Sequence, residues 1–148
     1  MPADEISRET RIAAPRQRVW DVVTRAEHVA RWFGDAGAEI DLRPGGLMQV
    51  RWAEHGTAVC RIEKVSPIDL FSFRWSRDVD AEPEPGNSTL VEFRLFPDGD
   101  GTRLVVTESG FSTLDDTPEG RARYREGNVE GWAHEVGKLV AYIATVDA

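Results

Sequence analysis

The chain has 148 residues, with 26 acidic against 18 basic side chains and a formal net charge of −8. This length is typical of one domain and buries roughly two thirds of the unfolded surface, so we expect a single domain over residues 1–148. The negative charge opposes that of a phosphate backbone, which argues against nucleic acid as a partner. No apolar run approaches the roughly 18 residues of a membrane span and no signal peptide is recognisable, so we predict a cytoplasmic protein without membrane contact.

The first part of the chain predicts one strand and two short helices. Residues 5–13 alternate in polarity like a strand, and a helix with an apolar stripe follows. Thr24 is placed to cap a second helix that runs through Phe33 and stops at Gly34. Trp32 and Phe33 end this helix, where successive side chains point about 100° apart, so the two rings are not expected to share one flat interface. We predict that one ring enters the core while the other borders a cavity mouth; the alternative is that both are packing residues.

From residue 38 the polarity alternates with a period of two over about seventy residues, which indicates a run of antiparallel strands. Six strands are predicted, at 38–42, 48–52, 57–65, 70–75, 88–97 and 102–109. The acidic, proline-rich stretch 78–87 is predicted to be a loop.

The last segment is predicted to be one helix of about 25 to 30 residues that opens at Pro118. Its apolar stripe consists of Trp132, Val136, Leu139, Val140 and Ile143. The order of one strand, two short helices, six strands and one long helix predicts an α+β fold with a curved antiparallel sheet of about seven strands. Such a sheet with large inward rings leaves space that one helix does not fill, which predicts a cavity.

Five segments, in this order, carry a family resemblance: IAAPRQRVWDVVTRAEHVARWF, RPGG, SPIDLFSFRW, GTRLVVTESGF and EGWAHEVGKL. They resemble the domain of the activator of heat shock protein 90 ATPase homologues, over about residues 6–145. The resemblance implies the helix-grip fold of the START and Bet v 1-like superfamily. It also implies two possible functions, contact with a chaperone and a cyclase or aromatase activity like that of polyketide enzymes.

The leading hypothesis is a binding module for a small apolar or aromatic ligand, held between the sheet and the last helix in a pocket of roughly a few hundred cubic ångströms. The predicted ligand-binding residues are Trp32, Phe33, Met48, Val50, Trp52, Phe71, Phe73, Trp75, Phe93, Glu108, Trp132 and Val136.

Glu108 is in phase with Leu104 and Val106, which points it inward. If enclosed, its pKa would rise and it could bind a polar ligand group or act as a base. The alternative is a glutamate at a strand end that faces water or pairs with an arginine.

The sequence lacks the motifs that would indicate a metal site. WAHEVGK has Lys138 where a zinc-protease helix needs its second histidine, and PDGDGT lacks the glutamate of a calcium loop. We therefore expect no metal and no cofactor, and no catalytic residue is assigned. Cys60 is alone and alternates with buried positions, so an inert core residue is favoured over a reactive thiol. Both a monomer and a homodimer remain open.

Overall fold

The computed structural model describes residues 4–146 and contains a seven-stranded antiparallel sheet. The strands are β1 (Glu5–Ile12), β2 (Ala38–Ile40), β3 (Leu47–Trp52), β4 (Gly56–Ser66), β5 (Leu70–Ser76), β6 (Ser88–Asp98) and β7 (Gly101–Ser109). The helices are α1 (Arg16–Thr24), α2 (Ala26–Trp32) and α3 (Pro118–Ile143), and a short 3-10 turn covers Phe111–Thr113. This order confirms the predicted α+β helix-grip architecture.

Across the sheet the strands follow the order β1-β7-β6-β5-β4-β3-β2. Every strand from β2 to β7 therefore pairs with its neighbour in sequence, and β1 joins the far edge, where Ile6 lies opposite Glu108. β2 ends earlier than predicted, at Ile40, because the chain turns there: the backbone N–H of Arg43 donates to the Asp41 carbonyl. In this turn Gly45 has a φ of +84°, which glycine adopts without steric cost.

The predicted cap of the second helix is wrong. Thr24 is the last residue of α1, and its hydroxyl donates to the carbonyl oxygen of Trp20 at 2.7 Å. A threonine inside a helix commonly bonds back to the carbonyl four residues earlier, so this hydroxyl is not free for a cap. Arg25, with extended backbone, separates the two helices and leaves α2 without a side-chain cap.

α3 has 26 residues, within the predicted length. Thr117 caps it, since its hydroxyl oxygen accepts from the Gly120 N–H at 3.0 Å, and Pro118 occupies the first turn. The buried side chains Trp132, Val136, Leu139 and Ile143 form the predicted stripe on one face. Although α3 is long, no helix within residues 4–146 is apolar enough over its length to cross a membrane.

The core lies between the sheet and the three helices. Phe71, Phe73 and Phe93 are at most 2% exposed, and their ring centroids are 5.5 to 6.2 Å apart. Trp20 from α1 meets Phe71 edge-on at 6.3 Å. The part of the inner sheet face under these rings is therefore solidly packed.

Candidate functional site

A pocket of about 150 Å³ opens between α3 and the ends of β3, β5 and β7. We call it the α3 pocket, and its lining residues are Phe33, Trp52, Trp75, Glu108, Asn128, Gly131, Trp132 and Glu135. A groove of about 480 Å³, the outer groove, shares Trp52, Trp75, Asn128 and Glu135 with it and extends over the 55–58 turn and residues 76–79. The two half-buried tryptophans thus mark the boundary between the pocket and the groove.

The wall of the α3 pocket is built around Phe33. Its ring centroid lies 5.3 Å from that of Trp52, 5.5 Å from Trp75 and 5.8 Å from Trp132. Trp52 and Trp75 meet at 6.0 Å with ring planes at 75°. Contacts of this kind between aromatic rings are favourable beyond the apolar area they bury. They hold the four rings in a fixed arrangement that comes from α2, β3, β5 and α3.

Trp32 lies behind this wall. Its indole N–H donates to the Val22 carbonyl at 2.8 Å, and its ring stacks on Phe33 at 4.9 Å and 21°. Trp32 is therefore in the core, whereas Phe33 also lines the α3 pocket. This is the arrangement expected from the sequence, in which one ring enters the core and the other borders a cavity.

α3 presents four residues to the pocket, Asn128, Gly131, Trp132 and Glu135. Their spacing of three, four and seven places them on one helical face. A Cβ atom at Gly131 would meet nothing within 4 Å, so the glycine leaves space where any other residue would project.

Glu108 on β7 is only 1% exposed. Oε1 accepts from the indole N–H of Trp132 at 2.8 Å, and Oε2 accepts from the Thr89 hydroxyl at 2.6 Å. The amide nitrogen of Asn128 lies 3.0 Å from both oxygens. All three donors are uncharged, so the carboxylate is held by hydrogen bonds without a cation at contact.

Burial raises the pKa of Glu108, and the hydrogen bonds from Thr89, Trp132 and Asn128 oppose that rise because they favour the charged form. Burial also raises the pKa of Tyr124 to about 12, and the neighbouring charge of Glu108 adds to the effect. At Glu135 burial raises the pKa against the influence of Lys138, whose Nζ lies 2.8 Å from Oε2.

The sequence profile of the family described as activator of Hsp90 ATPase homolog 1-like protein matches residues 13–144. The chain belongs to this family. No curated protein matches it in sequence at a significant level. The match confirms the resemblance expected from the five sequence segments, and it covers the residues of every helix and of β2 to β7.

Several proteins of known structure share the fold of this chain. Protein MLL2253 from Mesorhizobium loti is 22% identical, with a TM-score of 0.79 over 97% of this chain and 99% of that protein. CalU16 from Micromonospora echinospora is 24% identical, with a TM-score of 0.71 over 95% and 76%. The Aha1 dimer from Colwellia psychrerythraea is 16% identical, with a TM-score of 0.73 over 97% and 98%. Identities this low show a common architecture, which many functions can share.

The structure places the twelve predicted ligand-binding residues in two groups. Phe33, Trp52, Trp75, Glu108 and Trp132 line the α3 pocket. The others lie in the core outside it, and they are Trp32, Met48, Val50, Phe71, Phe73, Phe93 and Val136. The α3 pocket, at about 150 Å³, is smaller than the few hundred cubic ångströms expected, because these core side chains fill the rest of the inner face.

Three residues that line the α3 pocket were not predicted from the sequence: Asn128, Gly131 and Glu135. Their helical spacing from Trp132 was the available signal, since it puts them on the same face of α3.

Within residues 4–146 no cluster of three His, Cys, Asp or Glu side chains could hold a metal ion. Cys60 is buried, and burial raises the pKa of its thiol.

Replacing Glu108 with glutamine should remove part of the pH dependence of stability. Because the pKa of Glu108 is raised by folding, its contribution is fully present below the ordinary glutamate pKa and is lost as pH rises through the raised value. Glutamine does not ionise, and it can still donate to Thr89 and accept from Trp132. We therefore expect the variant to gain stability relative to the wild type as pH rises from acid to neutral, measured by urea unfolding at each pH. Parallel profiles for the two proteins would contradict this expectation.

Proposed function

We propose that this protein binds a small apolar or aromatic molecule in the α3 pocket. The observation that carries the proposal is an open space beside Phe33, Trp52, Trp75 and Trp132, where close packing of the rings would otherwise be expected. Ligand sites are typically concave and mostly apolar, with a few polar groups that fix orientation. Here the lining contains three polar side chains, those of Glu108, Asn128 and Glu135.

The volume of the α3 pocket sets the size of the enclosed part of the ligand. The α3 pocket has a volume of about 150 Å³, and a cavity of about that volume holds a molecule of the size of benzene. A longer molecule would leave between Trp52 and Trp75 and lie in the outer groove, whose volume is about 480 Å³. The proposed ligand therefore has one compact end and tolerates an extension at the other.

Binding is better supported than a cyclase-like reaction. A general base needs a free lone pair directed at the reacting proton. The two oxygens of Glu108 already accept hydrogen bonds from Thr89, Asn128 and Trp132. Those donors would have to move before Glu108 could take a proton from a substrate.

The test is a panel of compact compounds, such as toluene, benzyl alcohol and cyclohexanol, with thermal unfolding and tryptophan emission as readouts. We expect at least one compound to raise the melting temperature, because a ligand that binds only the folded chain stabilises it. The same compound should change the emission, since three tryptophans border the pocket. Native mass spectrometry of freshly purified protein would identify a retained molecule. If no compound changed either readout, the binding proposal would fail, and a surface role such as chaperone contact would take its place.

A further inference from the structure

The charges around the α3 pocket are unbalanced. Its described lining includes two carboxylates, Glu108 and Glu135, and no basic side chain. Lys138 pairs with Glu135 at 2.8 Å and offsets that charge. Glu108 has only neutral donors around it, so in its ionised form it leaves one negative charge at the pocket.

The aromatic residues that line the α3 pocket also favour a positively charged ligand. The faces of aromatic rings are negative, and a cation within about 6 Å of a ring centroid is attracted to it, most strongly by tryptophan. A ligand in a pocket of about 150 Å³ touches the rings that line it, which brings its charge within that range of Trp52, Trp75 and Trp132. Aromatic rings and a carboxylate together favour an organic cation over a neutral molecule of the same shape.

The hydrogen bonds of Glu108 indicate which kind of cation fits. A carboxylate offers about four lone-pair positions. Oε1 is within hydrogen-bond distance of Trp132 and Asn128, and Oε2 is within hydrogen-bond distance of Thr89 and Asn128. Both oxygens are therefore fully used. An ammonium group with N–H donors would lose its bonds to water without gaining this acceptor, whereas a quaternary ammonium group has no donors to satisfy.

The outer groove does not repel such a ligand. Arg77, the one arginine among the described residues that line the groove, lies 2.5 Å from the Asp116 carboxylate and 5.0 Å over the Tyr124 ring. The groove also includes Asp78 and Glu135. With a formal net charge of −8, the whole chain attracts cations at long range.

We propose that the α3 pocket binds a small quaternary ammonium group between its tryptophan rings and the Glu108 carboxylate. This inference rests on the proposed function, because it names the chemistry of the group that the same pocket encloses. A neutral or N–H-bearing extension of the ligand would lie in the outer groove.

The test compares three probes of nearly equal size and shape by isothermal titration calorimetry at constant ionic strength: tetramethylammonium, tert-butylammonium and tert-butanol. We expect tetramethylammonium to bind about tenfold or more tightly than tert-butanol, since several ring faces and one carboxylate act on its charge. Tert-butylammonium carries the same charge but three N–H donors, and it should bind more weakly than tetramethylammonium.

The charge of Glu108 and the ring of Trp52 are tested by separate variants. Glu108→Gln should weaken tetramethylammonium about tenfold and reduce its advantage over tert-butanol, because the variant loses the negative charge. Glu130→Gln removes one charge from the exposed side of α3 and is the matched control, with no effect on either probe expected. If Glu108→Gln does not fold, Trp52→Leu provides the second test: it keeps an apolar side chain but removes one ring face, and should weaken the cation more than the alcohol.

The outcomes distinguish this inference from the function on which it rests. If tert-butanol or toluene binds and tetramethylammonium binds no more tightly, the cation is rejected and the apolar pocket stands. If none of these compounds binds, both proposals fail. Equal affinities for tetramethylammonium in the Glu108→Gln variant and the wild type would also overturn the role of the carboxylate.

Discussion

Replacing Gly131 with leucine should abolish ligand binding in the α3 pocket and slightly stabilise the fold. A Cβ at this position meets no atom within 4 Å, so the leucine side chain can enter the space that the ligand would occupy. Glycine in a helix interior costs about 0.8 to 1 kcal/mol relative to a good helix former, and the leucine removes that cost. We expect at least a tenfold loss of affinity by calorimetry, with a free energy of unfolding raised by up to about 1 kcal/mol.

Gly137→Leu is the matched control for this variant. Gly137 lies on α3, is exposed, and also has open space around its Cβ position, but it does not line the pocket. The helix should therefore gain similar stability from either substitution, while only Gly131→Leu changes binding. If both variants bound the ligand like the wild type, the binding site would have to lie elsewhere.

Substitutions of Phe73 should cause the largest losses of stability. Phe73 is fully buried, and its ring centroid lies 5.5 Å from that of Phe71 and 5.8 Å from that of Phe93. Phe73→Ala would leave a cavity and should lower the free energy of unfolding by about 3 to 5 kcal/mol. Phe73→Trp would overpack the same site and should cost about 1 to 3 kcal/mol.

Denaturant unfolding of these variants checks whether the centre of the inner face is a core. Trp52→Phe is a suitable comparison, because Trp52 is only half-buried at the boundary of the α3 pocket and should lose less stability. Phe73→Trp should also leave ligand binding intact in the fraction that folds, since residue 73 does not line the pocket. A stable Phe73→Trp variant with weakened ligand binding would show that the pocket extends under β5.

The sequence was sufficient to predict the architecture because each element has its own periodicity. Alternation from residue 38 identified the strands, and the stripe from Trp132 to Ile143 identified the long helix. Local hydrogen bonding was harder to predict. The hydroxyl of Thr24 could equally cap the next helix or bond back to Trp20, and only the packed structure decides between these partners.

The position of the pocket could not be predicted in the same way. Phe73 and Trp75 have the same phase on β5, yet the first is enclosed by other rings and the second borders the opening. The alternation of residues along a strand identifies the face on which each side chain lies, but not which other part of the protein packs against that face. The phase of Glu108 pointed inward but left a water-facing strand end open, and its donors come from β6 and α3, whose approach depends on the whole fold.

The pairing of β1 with β7 determines when this protein can fold during its synthesis. Glu5 lies opposite Ser109 and Ile12 opposite Thr102, so β1 has no partner in the sheet until residues 102–109 have left the ribosome. Contacts this distant in sequence close large loops and form slowly. The carboxylate of Glu108 lies on β7, and two of its donors, Asn128 and Trp132, emerge later still. A nascent chain that stalls before β7 and α3 have emerged therefore exposes an unpaired strand and an uncovered aromatic sheet face, two features that make partly folded chains prone to aggregation.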